Sequence, residues 1–155
     1  ETLGNSYHSL AEQENSDLYH QKSDESYQRA LEYDFTNTYI LNNYSYYLAL
    51  RGENLQVAKE MIERCVSIST TPNPSFLDTY AWVLFKLKEY KNAEKIIQKC
   101  MQYGGDSSII HEHYGDILYA LDLQERAIIE WNKALEKDPL NIQLEQKILN
   151  LQKND

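Results

Sequence analysis

The sequence has little of what marks disulfide-rich, membrane-spanning or nucleic-acid-binding proteins. Its 155 residues include two cysteines, three prolines and five glycines, and 15 Lys and Arg stand against 24 Asp and Glu. Nucleic-acid surfaces depend on clustered basic residues, so the net charge of −9 argues against one. No apolar run approaches the roughly 18 residues that a membrane-spanning helix requires. No charged start leads into an apolar signal segment.

Enzyme motifs are missing as well. The chain has no glycine-rich phosphate loop, no Gly-x-Ser-x-Gly elbow and no Cys-x-x-Cys pair. The nearest approach to a metal site is His111-Glu112-His113, but residues two apart on a helix point about 200° apart and cannot share one ion. His8 and His20 are isolated in the sequence. We therefore expect no catalytic site, no metal site and no cofactor.

What the chain does contain is a pair of short amphipathic helices between Phe76 and Met101. Each has one apolar face: Leu77, Tyr80, Ala81 and Leu84 mark the first, and Ala93, Ile97 and Cys100 mark the second. Only Lys88-Glu89-Tyr90 separates them, and a connection this short requires the helices to lie antiparallel. One hairpin buries too little surface to be stable alone, so copies of it are needed.

Copies are present at a period near 34 residues. Small residues recur at spacings of 34 or 35, first at Ala58, Ala93 and Ala127, and again at Ala30, Cys65, Cys100 and Ala134. The first helices repeat too, because Leu41, Tyr44, Ser45 and Leu48 correspond to Leu77, Tyr80, Ala81 and Leu84 and to His111, Tyr114, Gly115 and Leu118. A period of this length with this internal order is typical of a helical solenoid.

The repeated pattern is similar to that of tetratricopeptide repeats. The last unit fits best, with Tyr114-Gly115, Leu118, Ala127, Trp131, Ala134 and Pro139. Departures from the pattern are Ile62 and Ile97 in aromatic positions, Cys65 and Cys100 in alanine positions, and His111 in a bulky apolar position. Stretches such as LNNYSYYLALRGENL, LDTYAWVLFK and EHYGDILYAL resemble bacterial members, and the resemblance covers roughly residues 1–141. It implies a non-enzymatic protein-binding scaffold.

The predicted fold is all-α: a right-handed α-solenoid of about four antiparallel helical hairpins in a single domain over residues 1–155. The repeats are expected at residues 1–35, 36–72, 73–105 and 106–139, with a capping helix at 140–153. That last helix would cover the end of the stack, although it also suits the first helix of a further repeat. The chain begins at Glu1 without Met, and we expect it to be a piece of a longer protein whose first helix lacks its full amino end.

The first unit admits two registers. If the repeat is aligned without gaps, Leu10-Ala11 corresponds to the large and small pair Tyr114-Gly115 of the last unit. Glu14 then falls where an aromatic side chain should pack. The second register uses Leu3-Gly4 and leaves seven extra residues before Ala30. Seven residues are close to two helical turns, so each helix would be about one turn longer with its inner face preserved. We favour the second register.

The two cysteines occupy equivalent places in consecutive second helices, whose axes should lie about 8–10 Å apart. A disulfide needs α-carbons within roughly 7 Å. We therefore predict that Cys65 and Cys100 are buried free thiols that act as small apolar fillers.

The resemblance also indicates a binding surface on the side of the first helices that faces away from the hairpin partner, which in this family lines a concave groove. The predicted lining is Asn42, Asn43, Tyr46, Asp78, Trp82, Phe85, Glu112, His113, Asp116 and Tyr119. Its aromatics predict apolar or aromatic anchors in a protein or peptide partner. Its carboxylates, set against the single base Lys86, predict some basic character in that partner.

Alternatives stay open at this stage. Trp82 and Phe85 would be unavailable to a partner if the neighbouring repeat covers them. The segment would instead be a structural or self-association module if its groove is filled internally. Some family members use several basic residues to hold a chaperone's carboxyl-terminal tail. Because Lys86 is the single base of the predicted lining, we do not expect such a clamp here. The sequence leaves the compartment open between the cytoplasm and a bacterial cell envelope.

Overall fold

The computed structural model describes residues 2–152, and over this range the chain forms nine α-helices and no strand. The helices are α1 Thr2–Glu14, α2 Asp17–Tyr33, α3 Thr38–Arg51, α4 Leu55–Ile68, α5 Pro74–Lys86, α6 Tyr90–Gln102, α7 Ser108–Ala120, α8 Gln124–Lys137 and α9 Ile142–Gln152. The all-α prediction is confirmed. Lys153, the last residue of the predicted capping helix, lies outside the described residues.

The first eight helices pair into four antiparallel hairpins because two or three residues join the helices of each pair. Each of these connections contains a non-glycine residue with positive φ: Asn15, Asn54, Lys88 or Asp122. In the third hairpin, the backbone N–H of Glu89 closes the turn by donating to the carbonyl of Leu84 at 2.9 Å. The same bond joins Leu123 to Leu118 in the fourth hairpin at 3.0 Å.

Polar side chains fix where several helices begin. The side chains of Asn37, Asn73 and Ser107 accept hydrogen bonds from the backbone N–H groups of Ile40, Ser75 and Ile110, respectively, and so cap α3, α5 and α7. Gly104 has φ +90 just after α6, a left-handed conformation that is common for glycine after a helix end.

The described chain divides into two compact units, 1–72 and 73–155, with two hairpins in each. In the first unit the core contains Tyr27, Leu41, Leu48 and Ile62, all nearly inaccessible to solvent. The second unit has an equivalent core and additionally contains α9. Its most buried large side chains are Leu77, Leu84, Ile97, Ile117, Leu118, Trp131 and Leu144. Repeat positions identified in the sequence supply most of both cores.

Two close contacts between helices determine the register of the first unit. Gly115 of α7 lies so close to the ring of Trp131 that a Cβ there would overlap it. In the first hairpin Gly4 holds the same relation to Tyr27, and a Cβ on Gly4 would stand 2.8 Å from that ring. Gly4 therefore occupies the small-residue position, as the second register predicted. The extra residues lengthen both helices of the hairpin on the side of the turn.

Helix α9 packs onto the fourth hairpin through Leu144 and Ile148, which are both buried. Asn141 caps it by accepting a hydrogen bond from the N–H of Leu144 at 3.0 Å. None of the helices within residues 2–152 is both long enough and apolar enough to cross a membrane.

Candidate functional site

Helices α5 and α7 of the second unit meet along a stack of three rings. Trp82 lies between Phe85, at a centroid distance of 4.9 Å, and His113, at 4.0 Å, and both pairs are nearly parallel. Only 9% of Trp82 is exposed. The neighbouring repeat thus covers Trp82, which was the alternative raised by the sequence, and Trp82 is not a free anchor for a partner.

A buried hydrogen bond completes this helix contact. Nδ1 of His113 donates to Oδ1 of Asp78 at 2.9 Å, and both residues are more than nine-tenths buried. Buried polar groups of this kind are costly unless they are paired. Asp78 and His113 were predicted to line an open groove, and that expectation is wrong for these side chains because they hold α5 against α7.

Three of the four remaining predicted residues of the second unit line an open pocket of about 420 Å³. Its lining comes from four helices and consists of Phe85, Asp116, Tyr119, Ala120, Trp131, Lys147, Asn150 and Leu151. Three of these residues, Phe85, Asp116 and Tyr119, were predicted from the sequence. We refer to this cavity as the α9 pocket, because α9 contributes three of its lining residues.

The apolar part of the α9 pocket is partly open to solvent. Tyr119 is 43% exposed and packs against Trp131 with ring centroids 5.6 Å apart. Phe85 is half-buried at the end of the Trp82 stack. These rings and the side chain of Leu151 offer an apolar surface that is held in position by buried neighbours, which is the usual character of a binding pocket.

The polar part of the pocket is paired internally. Asp116 accepts a hydrogen bond from Nε1 of Trp131 at 3.0 Å and forms an ion pair with Lys147, whose Nζ lies 5.1 Å from the centre of the Trp131 ring. Glu112 accepts a hydrogen bond from the side chain of Asn141 at 3.0 Å. All three carboxylates that suggested a basic partner, including Asp78, therefore have partners within the chain.

The three predicted residues on α3 belong to the first unit. Asn42, Asn43 and Tyr46 are half-buried, and the side chain of Asn42 donates to that of Asn43 at 3.1 Å. The α9 pocket forms within the second unit, and these residues are not part of its lining.

The pocket residues that were not among the predicted lining are Ala120, Trp131, Lys147, Asn150 and Leu151. Trp131 was recognised only as part of the repeat pattern, although it also lines the pocket. Lys147 precedes Leu151 by four residues, a spacing that places both on one side of α9. The spacing of Leu144, Ile148 and Leu151 in the sequence indicates an apolar face, but nothing in that periodicity indicates which helix the face contacts.

A second buried histidine joins α7 to α8. Nδ1 of His111 lies 2.7 Å from Oε2 of Glu130, and its Nε2 lies 2.9 Å from Oδ1 of Asp106. Lys133 and Lys137 pair with the other oxygens of these two carboxylates. The hydrogen bond from His111, followed by that from Lys137, lowers the pKa of Asp106. This network explains how histidine is accommodated at a repeat position that is usually apolar.

Comparison with known proteins agrees with this architecture. Residues 75–103 match the sequence family described as tetratricopeptide repeat. No curated protein sequence matches the chain. Among solved structures, "Crystal structure of MamA" has a TM-score of 0.67 at 17% identity and covers 83% of this chain and 74% of that chain.

Two other solved structures are similar. "MamA RS-1 ArsTM double mutant" has a TM-score of 0.70 at 17% identity, covering 99% of this chain and 85% of that chain. "NMR structure of the first TPR domain of the human RPAP3 protein" has a TM-score of 0.66 at 17% identity, covering 75% of this chain and 90% of that one. At this level of identity the likeness concerns the fold.

The helices and the family match together define an all-helical repeat architecture. Residues 75–103 match the tetratricopeptide repeat family, as the sequence pattern predicted, and the similar solved structures have the same fold. Such repeats generally mediate protein–protein interactions, and scaffolds built from them are typically non-enzymatic.

Proposed function

We propose that this chain is a non-enzymatic interaction scaffold that binds a protein or peptide segment in the α9 pocket. The observation that carries the proposal is an open cavity with an exposed tyrosine and a half-buried phenylalanine, each held in place by a buried tryptophan. Aromatic side chains with fixed positions are typical hot spots of interfaces.

The pocket favours one kind of anchor. A single apolar or aromatic side chain of an extended or helical segment fits a cavity of about 420 Å³. Asp116 and Lys147 lie at its polar edge as an ion pair, and each offers hydrogen-bonding capacity to a peptide backbone. The proposed partner therefore carries an apolar anchor, and we no longer require it to be basic because Asp78, Glu112 and Asp116 are already paired.

The test uses two tyrosines of the second unit. Tyr119 lines the pocket and is 43% exposed, whereas Tyr103 is 49% exposed at the end of α6 and does not line it. Peptides selected from a displayed random library on the wild-type protein are measured against Tyr119→Ser and Tyr103→Ser by titration calorimetry. We expect Tyr119→Ser to weaken binding by about tenfold or more, as the loss of a hot-spot aromatic does.

Tyr103→Ser serves as the matched control and is expected to bind like the wild type. Selected peptides that bind both variants equally well would contradict the assignment of the pocket. Failure to select any peptide with an apolar anchor would contradict the proposed recognition. Because Trp82 is buried, its replacement would test the fold rather than binding.

A further inference from the structure

The first hairpin brings together two histidines that the sequence analysis took to be isolated. His8 on α1 and His20 on α2 have ring centroids 6.0 Å apart. Glu12 lies one helical turn after His8, and its Oε1 is 3.8 Å from Nε2 of His20. One possible ligand atom from each of these three residues lies within 4.8 Å of the others. The expectation that the two histidines stand apart is wrong, because the turn between α1 and α2 makes them neighbours.

His8 has hydrogen-bonding capacity that the described chain does not use. The residue is 8% exposed, and its Nδ1 is buried with no hydrogen-bond partner among the described residues. Leaving a buried nitrogen without a hydrogen-bond partner is energetically costly. Tyr47 stacks on the ring at 3.6 Å and holds its position.

We propose that His8, Glu12 and His20 form a Zn²⁺ site that joins α1 to α2, with a water molecule as the fourth ligand. Two imidazoles and one carboxylate are a ligand set that zinc accepts in tetrahedral geometry. His8 and Glu12 are four residues apart on one helix and therefore share a face.

The present spacing is slightly wide for a bound ion. Bonds of about 2 Å in a tetrahedron place ligand atoms roughly 3.3 Å apart. The distance between Glu12 and His20 is 3.8 Å, and separations within the three-residue group reach up to 4.8 Å. The side chains that must move are the accessible ones, since Glu12 is 59% and His20 is 21% exposed. The buried His8 can stay where Tyr47 holds it.

Arg51 is the nearby group that opposes a cation. Its Nη1 lies 3.5 Å from Nδ1 of His20, while Nη2 donates to both oxygens of Asp24 at 2.8 Å and Nε donates to Glu53 at 3.0 Å. Two carboxylates thus offset its charge. When Nε2 of His20 binds the ion, the proton of this imidazole must be on Nδ1. The long contact between Nδ1 and Nη1 of Arg51 is then lost, while the hydrogen bonds from Arg51 to Asp24 persist.

The experiment measures metal binding by protein purified without a polyhistidine tag. Zn²⁺ affinity is obtained by competition with a chromophoric chelator, and Co²⁺ absorption reports the coordination geometry. We expect one equivalent of Zn²⁺ to bind and Co²⁺ to give a tetrahedral spectrum. Glu12→Gln and His20→Gln should each weaken binding by about tenfold or more. Glu14→Gln, an exposed change two residues from Glu12, is the matched control and should bind like the wild type.

Ring ¹⁵N resonances locate the ion independently of the variants. On addition of Zn²⁺, those of His8 and His20 should shift and those of His111 and His113 should not. Circular dichroism of each variant without metal checks that it is folded. The proposal is overturned if the wild type binds no zinc, if both variants bind as tightly as the wild type, or if the shifts occur at His111 or His113.

Discussion

Cys65 and Cys100 show how burial changes the chemistry of a single residue. Both are free thiols with no exposed surface, as predicted, and their Sγ atoms lie 3.2 Å from the carbonyl oxygens of Thr38 and Pro74, respectively. Burial raises the pKa of each thiol from 9.0 to about 12. The thiolate is the reactive form, so its fraction at neutral pH is lowered about a thousandfold.

We predict that iodoacetamide leaves both cysteines unmodified in the native protein at pH 8 and modifies both in denaturant, as measured by mass spectrometry. The raised pKa values also have a consequence for stability, because the folded state holds its thiol protons more tightly than the unfolded state. This contribution is complete below pH 9 and is lost as the pH rises from 9 to about 12. Rapid native-state alkylation of either thiol would contradict the assignment.

The sequence predicted which residues form the buried core better than it predicted which residues form the binding site. The small positions Ala58, Ala93 and Ala127 are fully buried, as their spacing indicated. Trp82 and Tyr119 were assigned to the same groove face, yet one is buried and the other is 43% exposed. Periodicity identifies the side of a helix on which a residue lies. It does not reveal that His113 on the next repeat covers Trp82.

At the scale of the element, α9 depends on two buried side chains. Leu144 is 1% exposed and Ile148 is 6% exposed, whereas Leu149 on the same helix is 45% exposed. We predict that Leu144→Ala lowers the free energy of unfolding by about 2–4 kcal/mol, through lost burial and a new cavity. The matched change Leu149→Ala should cost less than about 1 kcal/mol.

Denaturant unfolding measures both effects, and hydrogen exchange of the α9 amides locates them. Exchange in α9 should accelerate in Leu144→Ala and stay unchanged in Leu149→Ala. Equal losses of stability in the two variants would show that α9 does not pack as described.

Element boundaries were largely predictable because local signals mark them. Proline at the start of α5, glycine after α6 and the capping side chains of Asn37 and Ser107 are all visible in the sequence. The first hairpin was harder, since two registers preserved its apolar face. The structure selects the one in which Gly4 lies against Tyr27, a contact that depends on the distance between two helices.

At the scale of the whole molecule, the second unit contains its own core and the α9 pocket. We predict that residues 73–155 expressed alone are helical and unfold cooperatively, because two hairpins and α9 bury their apolar faces against one another. Circular dichroism with thermal and denaturant unfolding measures this. Residues 108–155, with one hairpin and α9, provide the comparison and should lack a cooperative transition.

A broad, non-cooperative transition in residues 73–155 would contradict the prediction that this unit folds on its own.

That both units belong to a single domain remains a prediction, as does the participation of Asn42, Asn43 and Tyr46 in binding. The repeat period predicted the number of hairpins, since each is specified by its own sequence. The pocket was not predictable in the same way, because it depends on how four separate helices pack against one another.

The contribution of α9 to the pocket has a thermodynamic consequence. Lys147 and Leu151 form part of the pocket wall, and a single short helix can open locally without unfolding the hairpin beneath it. Any partner that contacts this wall therefore favours the docked helix. The coupling is reciprocal: docking of α9 raises the affinity for the partner by the same factor by which the bound partner favours docking of α9. Changes in Leu144 or Ile148, which lie outside the pocket lining, would then alter affinity through the population of the closed wall.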